Sequence, residues 1–183
     1  MSRVPPVVFD ELSPEGQKIY KEIAGPREGA VGGPYTVWLR TPEIADVFNK
    51  VGDVLRVRGK LTKKLQELMV LVLSREWNCQ YQWVVHEAAA RSNGLSDDTI
   101  EAIRYGKKPN LTADDERAVY DVVTELIATK ALSEGTYQRA VAVLGLDILI
   151  ELVTNSGRYT QAAMVINAFQ VPVPGDATPL PAI

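Results

Sequence analysis

Residues 65–94 read LQELMVLVLSREWNCQYQWVVHEAAARSNG, and this stretch decides the fold. Its first half is strongly apolar with a helical spacing, which predicts one buried helix. Asn78 can cap a second helix over residues 79–92, with Gly94 as its stop. The stretch therefore predicts two consecutive helices joined by a short turn.

Helix signals continue on both sides of this stretch, and strand signals hardly appear. Ser13 followed by Pro14 predicts a helix that ends near Gly25. Thr41 followed by Pro42 predicts another, with apolar residues at helical spacing beyond it. Further helices are predicted to begin at Ser96, Thr112, Ser133 and Asp147, the last of them ending near Phe169. The expected fold is an all-α bundle of seven or eight helices.

The composition limits the function classes. The chain has 183 residues, which suits one domain with a sizeable core, and its net charge of −3 argues against nucleic acid as a partner. A single cysteine favours a reducing compartment. Neither a secretory signal nor an apolar run of membrane-spanning length is visible, so we expect a cytoplasmic protein with no membrane partner.

The single histidine and the single cysteine lie seven residues apart, at His86 and Cys79. Seven residues make two helical turns, which predicts that Cys79, Trp83 and His86 share one stripe, with Gln82 beside it. A cysteine in the first turn of a helix is expected to have a lowered thiol pKa. These four residues are candidates for catalysis or substrate binding.

Glu67 is the third candidate catalytic residue. It interrupts an apolar run, where a carboxylate is costly to bury without a partner, and His86 is the obvious one. A Glu–His pair fixes the imidazole tautomer, which suits general acid–base catalysis. Purely structural interpretations stay open: a satisfied core histidine, a buried cysteine, and a Glu67 that points to solvent.

The spacing of twelve residues from Glu67 to Cys79 and seven more to His86 resembles the carboxymuconolactone decarboxylase and alkylhydroperoxidase D superfamily. The flanking segments GPYTVWLRTPEIADVF (33–48) and EWNCQYQWVVHEAAARSNGLSDDTIEAI (76–103) are similar to that family in kind. The resemblance implies an orthogonal helical bundle that uses no cofactor or metal. It also implies a homo-trimer or hexamer and a small-molecule substrate. It divides the chain into an N-terminal helix and glycine-rich loop (1–33), a family domain (34–171) and a proline-rich tail (172–183).

The resemblance also bears on activity. The peroxidase branch of the superfamily carries two cysteines, and the second one falls on Gln82 here. A cycle through an internal disulfide needs two thiols, so the decarboxylase branch fits this chain better. The expectation is therefore a cofactor-independent enzyme on a small carboxylated lactone or ring acid, with Glu67 and His86 catalytic. A thiol-dependent hydroperoxidase using Cys79 and a non-enzymatic helical oligomer are the alternatives.

Substrate contacts are predicted from Trp83, Gln82 and Tyr35, with Trp38 near the entrance. A basic residue would hold the substrate carboxylate, and the candidates are Arg40, Arg56, Arg58 and Lys60. The glycine-rich segment 25–34 lacks the Gly-Lys-Ser/Thr of a phosphate-binding loop, so a lid or a subunit contact is expected there.

Overall fold

The computed structural model describes residues 2–25, 31–175 and 180–182. Within these residues the chain forms nine α-helices and no strand, which confirms the predicted all-α class. The nine helices exceed the seven or eight predicted. One of the nine, α2 (Tyr35–Trp38), is a single turn, too short to leave a periodic signal in the sequence.

The helices follow one another with short connections. They are α1 (Pro14–Ala24), α2 (Tyr35–Trp38), α3 (Pro42–Gly52), α4 (Lys63–Glu76), α5 (Gln80–Ser92), α6 (Asp97–Arg104), α7 (Asp114–Thr129), α8 (Glu134–Leu144) and α9 (Leu146–Phe169). A 3-10 turn, Phe9–Glu11, precedes α1, and a π-helical segment, Asp53–Arg58, extends α3.

Helix α4 is the centre of the bundle. Every residue from Leu65 to Arg75 is buried, because α4 packs against α5, α6, α7 and α9 on its different sides. A helix surrounded in this way needs an apolar sequence all round, which explains the unbroken run at residues 68–73. Each large apolar side chain buried there stabilises the fold by about 1.5–3 kcal/mol.

A second apolar cluster joins the N-terminal helices to α9. Ile19, Ile23, Trp38 and Leu39 pack with Ala162 of α9. Residues 2–6, called here the N-terminal strap, reach the end of α9, where the Arg3 backbone N–H donates to the Phe169 carbonyl and its guanidinium donates to the Ala168 carbonyl. Helix α9 therefore contacts both clusters. Residues 26–30 of the glycine-rich loop lie outside the described residues, so its role as a lid or subunit contact stays a prediction.

Helix starts were predicted correctly where a serine caps the helix. Ser13, Ser96 and Ser133 each accept a hydrogen bond from the backbone N–H three residues on. The cap at Thr112 was wrong, because α7 begins one residue later, after Ala113, which offers no side-chain acceptor. Thr62, which was not predicted as a cap, accepts from the Leu65 N–H and starts α4.

The end of the chain returns to the bundle. Arg75 donates to the Pro181 carbonyl at 2.9 Å and Gln80 to the Leu180 carbonyl at 3.1 Å, while the Leu180 side chain is buried in the main core. Residues 180–182 of the proline-rich tail therefore lie against the corner between α4 and α5 of their own chain.

Helices α8 and α9 meet at Gly145 with a bend of 116°. Across the described ranges, no single helix combines the length and the apolar character needed to cross a membrane, and this bent pair reaches that composition only when taken together.

Candidate active site

The turn between α4 and α5 sets where the candidate residues point. Asn78 adopts a left-handed backbone with φ of 45°, a conformation that asparagine tolerates better than most residues. Cys79 is the residue before α5 and not the first residue inside it, and α5 begins at Gln80. The predicted helix start was therefore one residue early.

Glu67 and His86 meet across the α4–α5 interface. Oε2 of Glu67 and Nδ1 of His86 are 2.6 Å apart, and both side chains are buried. Because a carboxylate only accepts hydrogen bonds, Nδ1–H donates, and Nε2 is left as the nitrogen that can exchange a proton with a ligand. Arg56 approaches the other carboxylate oxygen of Glu67 at 3.6 Å.

His86 opens onto a cavity of about 220 Å³ between α2, α5 and α9. The cavity combines aromatic, aliphatic and cationic side chains with the backbone of the loop before α2. Its lining residues are Gly32, Gly33, Pro34, Tyr35, Trp38, Arg56, Tyr81, Gln82, Val85, His86, Arg158, Tyr159, Ala162 and Ile166. Of the predicted site residues, Tyr35, Gln82 and His86 line it, and Glu67 is hydrogen-bonded to His86; their predicted roles in catalysis and substrate binding stay predictions.

Cys79 lies elsewhere. Its side chain is fully buried in an aliphatic cluster with Val37, Ala163, Ile166 and Val171, and it is not among the residues lining the cavity. Burial raises the pKa of the Cys79 thiol to about 11, although a hydrogen bond from the Gln82 backbone opposes the shift. The predicted lowering of this pKa was wrong, because desolvation of the thiolate outweighs the favourable helix terminus.

Trp83 is a core residue and is absent from the cavity lining. Its indole N–H donates to Glu87 at 2.8 Å, and the Arg104 guanidinium lies 5.1 Å from the ring centroid. Trp83 and His86 lie three residues apart on α5, as in the predicted stripe, whereas Cys79 precedes the helix. A stripe on α5 nevertheless faces several neighbours along its length, and only the part around Gln82 and His86 faces the cavity.

Two guanidinium groups flank one phenol ring in the cavity wall. Arg56, on the π-helical segment, lies 5.9 Å from the Tyr159 ring centroid, and Arg158 of α9 lies 5.1 Å from it. Burial raises the pKa of the Tyr159 phenol, and its ring stands edge-on to His86 at 5.3 Å. The phenol therefore stays neutral, and two guanidinium groups lie near the imidazole, of which Arg56 also faces the Glu67 carboxylate.

Arg158 differs from the other basic candidates in its partners. No acidic residue in the described part of the chain forms an ion pair with Arg158. Its Nε is buried and has no hydrogen-bond partner among the described residues. The guanidinium occupies space left by Gly52, where an added Cβ would stand 2.6 Å from Nη2. An unneutralised, half-buried cation is costly unless an anion reaches it.

Of the four basic residues predicted for a substrate carboxylate, only Arg56 lines the cavity. Arg40 instead donates to the carbonyls of the N-terminal strap, Arg58 pairs with Asp53 at 2.9 Å, and Lys60 pairs with Asp147 at 2.8 Å. Sequence reasoning missed Arg158, whose only signal was that it is the single basic residue of α9.

Within the described ranges, no three His, Cys, Asp or Glu side chains gather as metal ligands. The chemistry that the arrangement itself supports is proton transfer by His86 next to two guanidinium groups.

A helical bundle with a buried carboxylate–histidine pair beside a small cavity can be compared with known protein families. Residues 42–125, which hold Glu67, Cys79 and His86, match the carboxymuconolactone decarboxylase family. The match covers a little under half of the chain, and it agrees with the resemblance to the carboxymuconolactone decarboxylase and alkylhydroperoxidase D superfamily that the sequence predicted. No curated protein sequence matches the chain.

Solved structures share the fold over nearly the whole chain. A peroxidase-related protein from Silicibacter sp. TM1040 has a TM-score of 0.76 and 21% identity, covering 93% of this chain and 91% of its own. A peroxidase-related alkylhydroperoxidase AhpD core protein from Ralstonia eutropha JMP134 has a TM-score of 0.78 and 19% identity, covering 96% and 93%.

A third similar structure is the debrominase Bmp8, as a cysteine-to-alanine variant in complex with 2,3,4-tribromopyrrole. Its TM-score is 0.73 at 11% identity, with 94% of each chain covered. At these identities the three likenesses show a common fold.

Proposed function

We propose that this chain is a cofactor-independent enzyme that acts on a small ring acid or carboxylated lactone by acid–base chemistry, with decarboxylation as the reaction. One observation carries the proposal: the Glu67–His86 pair borders a small cavity that also holds Arg56 and Arg158. A proton donor and a carboxylate-binding site are the two elements that such a reaction requires.

The proposed reaction assigns one role to each of these groups. An arginine binds the substrate through an acid group and a ring oxygen, and the aromatic wall holds the ring. The bond from the ring carbon to the departing CO2 breaks, and its electron pair stays on that carbon, delocalised into a neighbouring carbonyl. A protonated His86, whose charge Glu67 balances, delivers a proton to the carbon from Nε2, and solvent then reprotonates the imidazole.

The aromatic character of the cavity supports a small ring as substrate. Tyr35, Trp38, Tyr81 and Tyr159 all line it, and its volume of about 220 Å³ suits a single substituted ring. The tribromopyrrole in the debrominase Bmp8 is likewise a small aromatic ring bound by a protein of this fold.

Turnover of γ-carboxymuconolactone and of related ring acids tests the proposal. We expect CO2 release by the wild type and a loss of kcat of about 10²–10⁴-fold in His86→Ala, because the proton donor is gone. Glu67→Gln should lower kcat with little change in KM, since an amide does not balance an imidazolium. Wild-type protein without activity over background on all of these acids contradicts the proposal.

A matched control comes from the same helix as His86. Glu87 is also a carboxylate of α5 and accepts hydrogen bonds from Trp83 and Arg91, but it does not line the cavity. Glu87→Gln should reduce stability and leave kcat unchanged. Equal loss of kcat in Glu67→Gln and Glu87→Gln would assign the effect to general destabilisation.

A thiol-dependent hydroperoxidase is the second candidate, and the peroxidase-related structures of the same fold favour it. The buried Cys79 with its raised pKa opposes it, because the thiolate is the nucleophile. After mild treatment with hydrogen peroxide, mass spectrometry should find Cys79 still a free thiol. Rapid formation of a sulfenic acid at Cys79, with peroxide consumption lost in Cys79→Ala, would establish the peroxidase instead.

A further inference from the structure

Two polar side chains in the cavity wall lack partners. Gln82 is 3% exposed, and neither its Oε1 nor its Nε2 has a hydrogen bond within the described part of the chain. Trp38 is 5% exposed, and its Nε1–H is likewise without an acceptor there. Buried polar groups are nearly always paired, and both residues line the cavity, so their three unpaired atoms indicate hydrogen bonds that a ligand can supply.

Packing fixes the Trp38 ring, and helix α5 fixes where the Gln82 side chain starts. The Trp38 ring stacks on Phe48 with centroids 4.8 Å apart and meets Tyr35 edge-on at 5.0 Å, so its plane is fixed from two sides. Gln82 lies one turn before His86 on α5, which places both on the same helix face. The Gln82 amide can therefore turn towards a ligand that is bound beside His86.

We propose that Trp38 and Gln82 form an uncharged hydrogen-bonding subsite that selects ring acids carrying a second oxygen, a hydroxyl or carbonyl apart from the acid group. The indole N–H only donates, whereas the Gln82 amide both donates and accepts. A carbonyl oxygen can accept from both residues, and a hydroxyl can also donate to Gln82 Oε1. The inference rests on the proposed function, which places the acid group at Arg56 and Arg158.

Selectivity follows from what an unsubstituted ring leaves behind. A ring acid without the second oxygen excludes water from the cavity and still leaves the Trp38 and Gln82 groups unpaired. A site that is built to bond an oxygen discriminates against the analogue that lacks it. We expect about tenfold weaker binding for neutral hydrogen bonds of this kind.

Isothermal titration calorimetry of the full chain with benzoate and the three hydroxybenzoate isomers tests the subsite. At least one isomer should bind the wild type about tenfold more tightly than benzoate. Gln82→Met keeps the side-chain length without the amide, and it should reduce this preference to less than threefold while benzoate binds as before. Trp38→Phe, which removes the N–H and keeps an aromatic ring, should act in the same direction.

Gln161→Met is the matched control, because Gln161 also has an unpaired Oε1 and lies outside the cavity lining. This variant should keep the full preference. Equal affinity of all four acids for the wild type overturns the subsite and leaves the anion site standing. A preference that survives in both Gln82→Met and Trp38→Phe also overturns it, and binding of none of the acids overturns the anion site together with the subsite.

Discussion

At the scale of single residues, the surroundings of Cys79 and His86 decide their chemistry more than their positions in the helix do. Cys79 directly precedes α5 and His86 lies two turns further on, yet the thiol is enclosed by apolar side chains and the imidazole faces the cavity. Desolvation stabilises the neutral thiol, whereas the Glu67 carboxylate holds one imidazole nitrogen and leaves the other available. The two residues therefore act separately.

The raised pKa of Cys79 predicts a loss of stability at alkaline pH. The unfolded thiol ionises near 9.0 and the folded thiol near 11, so the unfolded state loses its proton first as the pH rises. The stabilisation is complete below pH 9 and declines between pH 9 and 11, by about 3 kcal/mol for a shift of this size. Urea unfolding of wild type and Cys79→Ala at pH 8 and pH 10.5 measures it, and equal pH dependence in both would contradict it.

The sequence could predict the Glu67–His86 pair because both residues lie in one short stretch with a helical period. A carboxylate in an apolar helix needs a partner, and the single histidine was predicted on the next helix. Arg158 could not be found in the same manner, since it lies 72 residues after His86 and reaches the cavity only because α9 borders the same cavity as α5. Local spacing carries no information about how distant helices are arranged.

At the scale of elements, the junction between α3 and the π-helical segment Asp53–Arg58 shapes the cationic side of the cavity. The segment carries Arg56 to the cavity wall, and Gly52 just before it leaves room for the Arg158 guanidinium. π-Helical turns are rare and often found at functional sites. The sequence indicated only a basic stretch here, because periodicity does not distinguish a π-turn from a loop.

Gly52→Ala should weaken binding of ring acids without unfolding the protein. The new Cβ would meet Arg158 Nη2, the flexible end of a side chain, which moves away at little energetic cost. The free energy of unfolding should change by less than about 1 kcal/mol, since alanine also favours the helix. Calorimetry with benzoate should find affinity reduced about tenfold, because the guanidinium no longer reaches its place.

Gly157→Ala is the control for this effect, since Gly157 precedes Arg158 on α9 and an added Cβ there meets nothing within 4 Å. This variant should stabilise the helix by about 0.5–1 kcal/mol and leave benzoate affinity unchanged. If Gly52→Ala binds benzoate as well as Gly157→Ala does, the close approach of Gly52 and Arg158 has no role in binding.

At the scale of the whole molecule, α9 is the element that unites the parts. It contacts both the main core and the N-terminal cluster, and it supplies Arg158 and Tyr159 to the cavity. Leu146 and Ile150 lie one turn apart on its outer face and are about half exposed, beside the exposed Asp147. Exposed apolar side chains are found at many subunit contacts, so we place the contact of the predicted homo-oligomer here, and that assembly stays a prediction.

The assembly can be tested on α9. We expect sedimentation velocity to find the wild type as a trimer or hexamer at micromolar concentration. Ile150, which is 56% exposed, should be essential to the contact, so Ile150→Glu should shift the protein to smaller species by placing a charge in the interface. Ile150→Val keeps the face apolar and should assemble normally. A monomeric wild type would contradict the prediction.

The unneutralised Arg158 has a consequence for how a substrate can be found. An acid that reaches this guanidinium binds the folded chain and not the unfolded one, so it raises the melting temperature by mass action. At a hundred times its dissociation constant such an acid adds about 2.7 kcal/mol, or roughly 5–10 °C for a chain of this length. Melting curves recorded over a collection of organic acids would therefore rank ligands before any assay of turnover exists, and buffers free of competing carboxylates and phosphates would make the ranking sharpest.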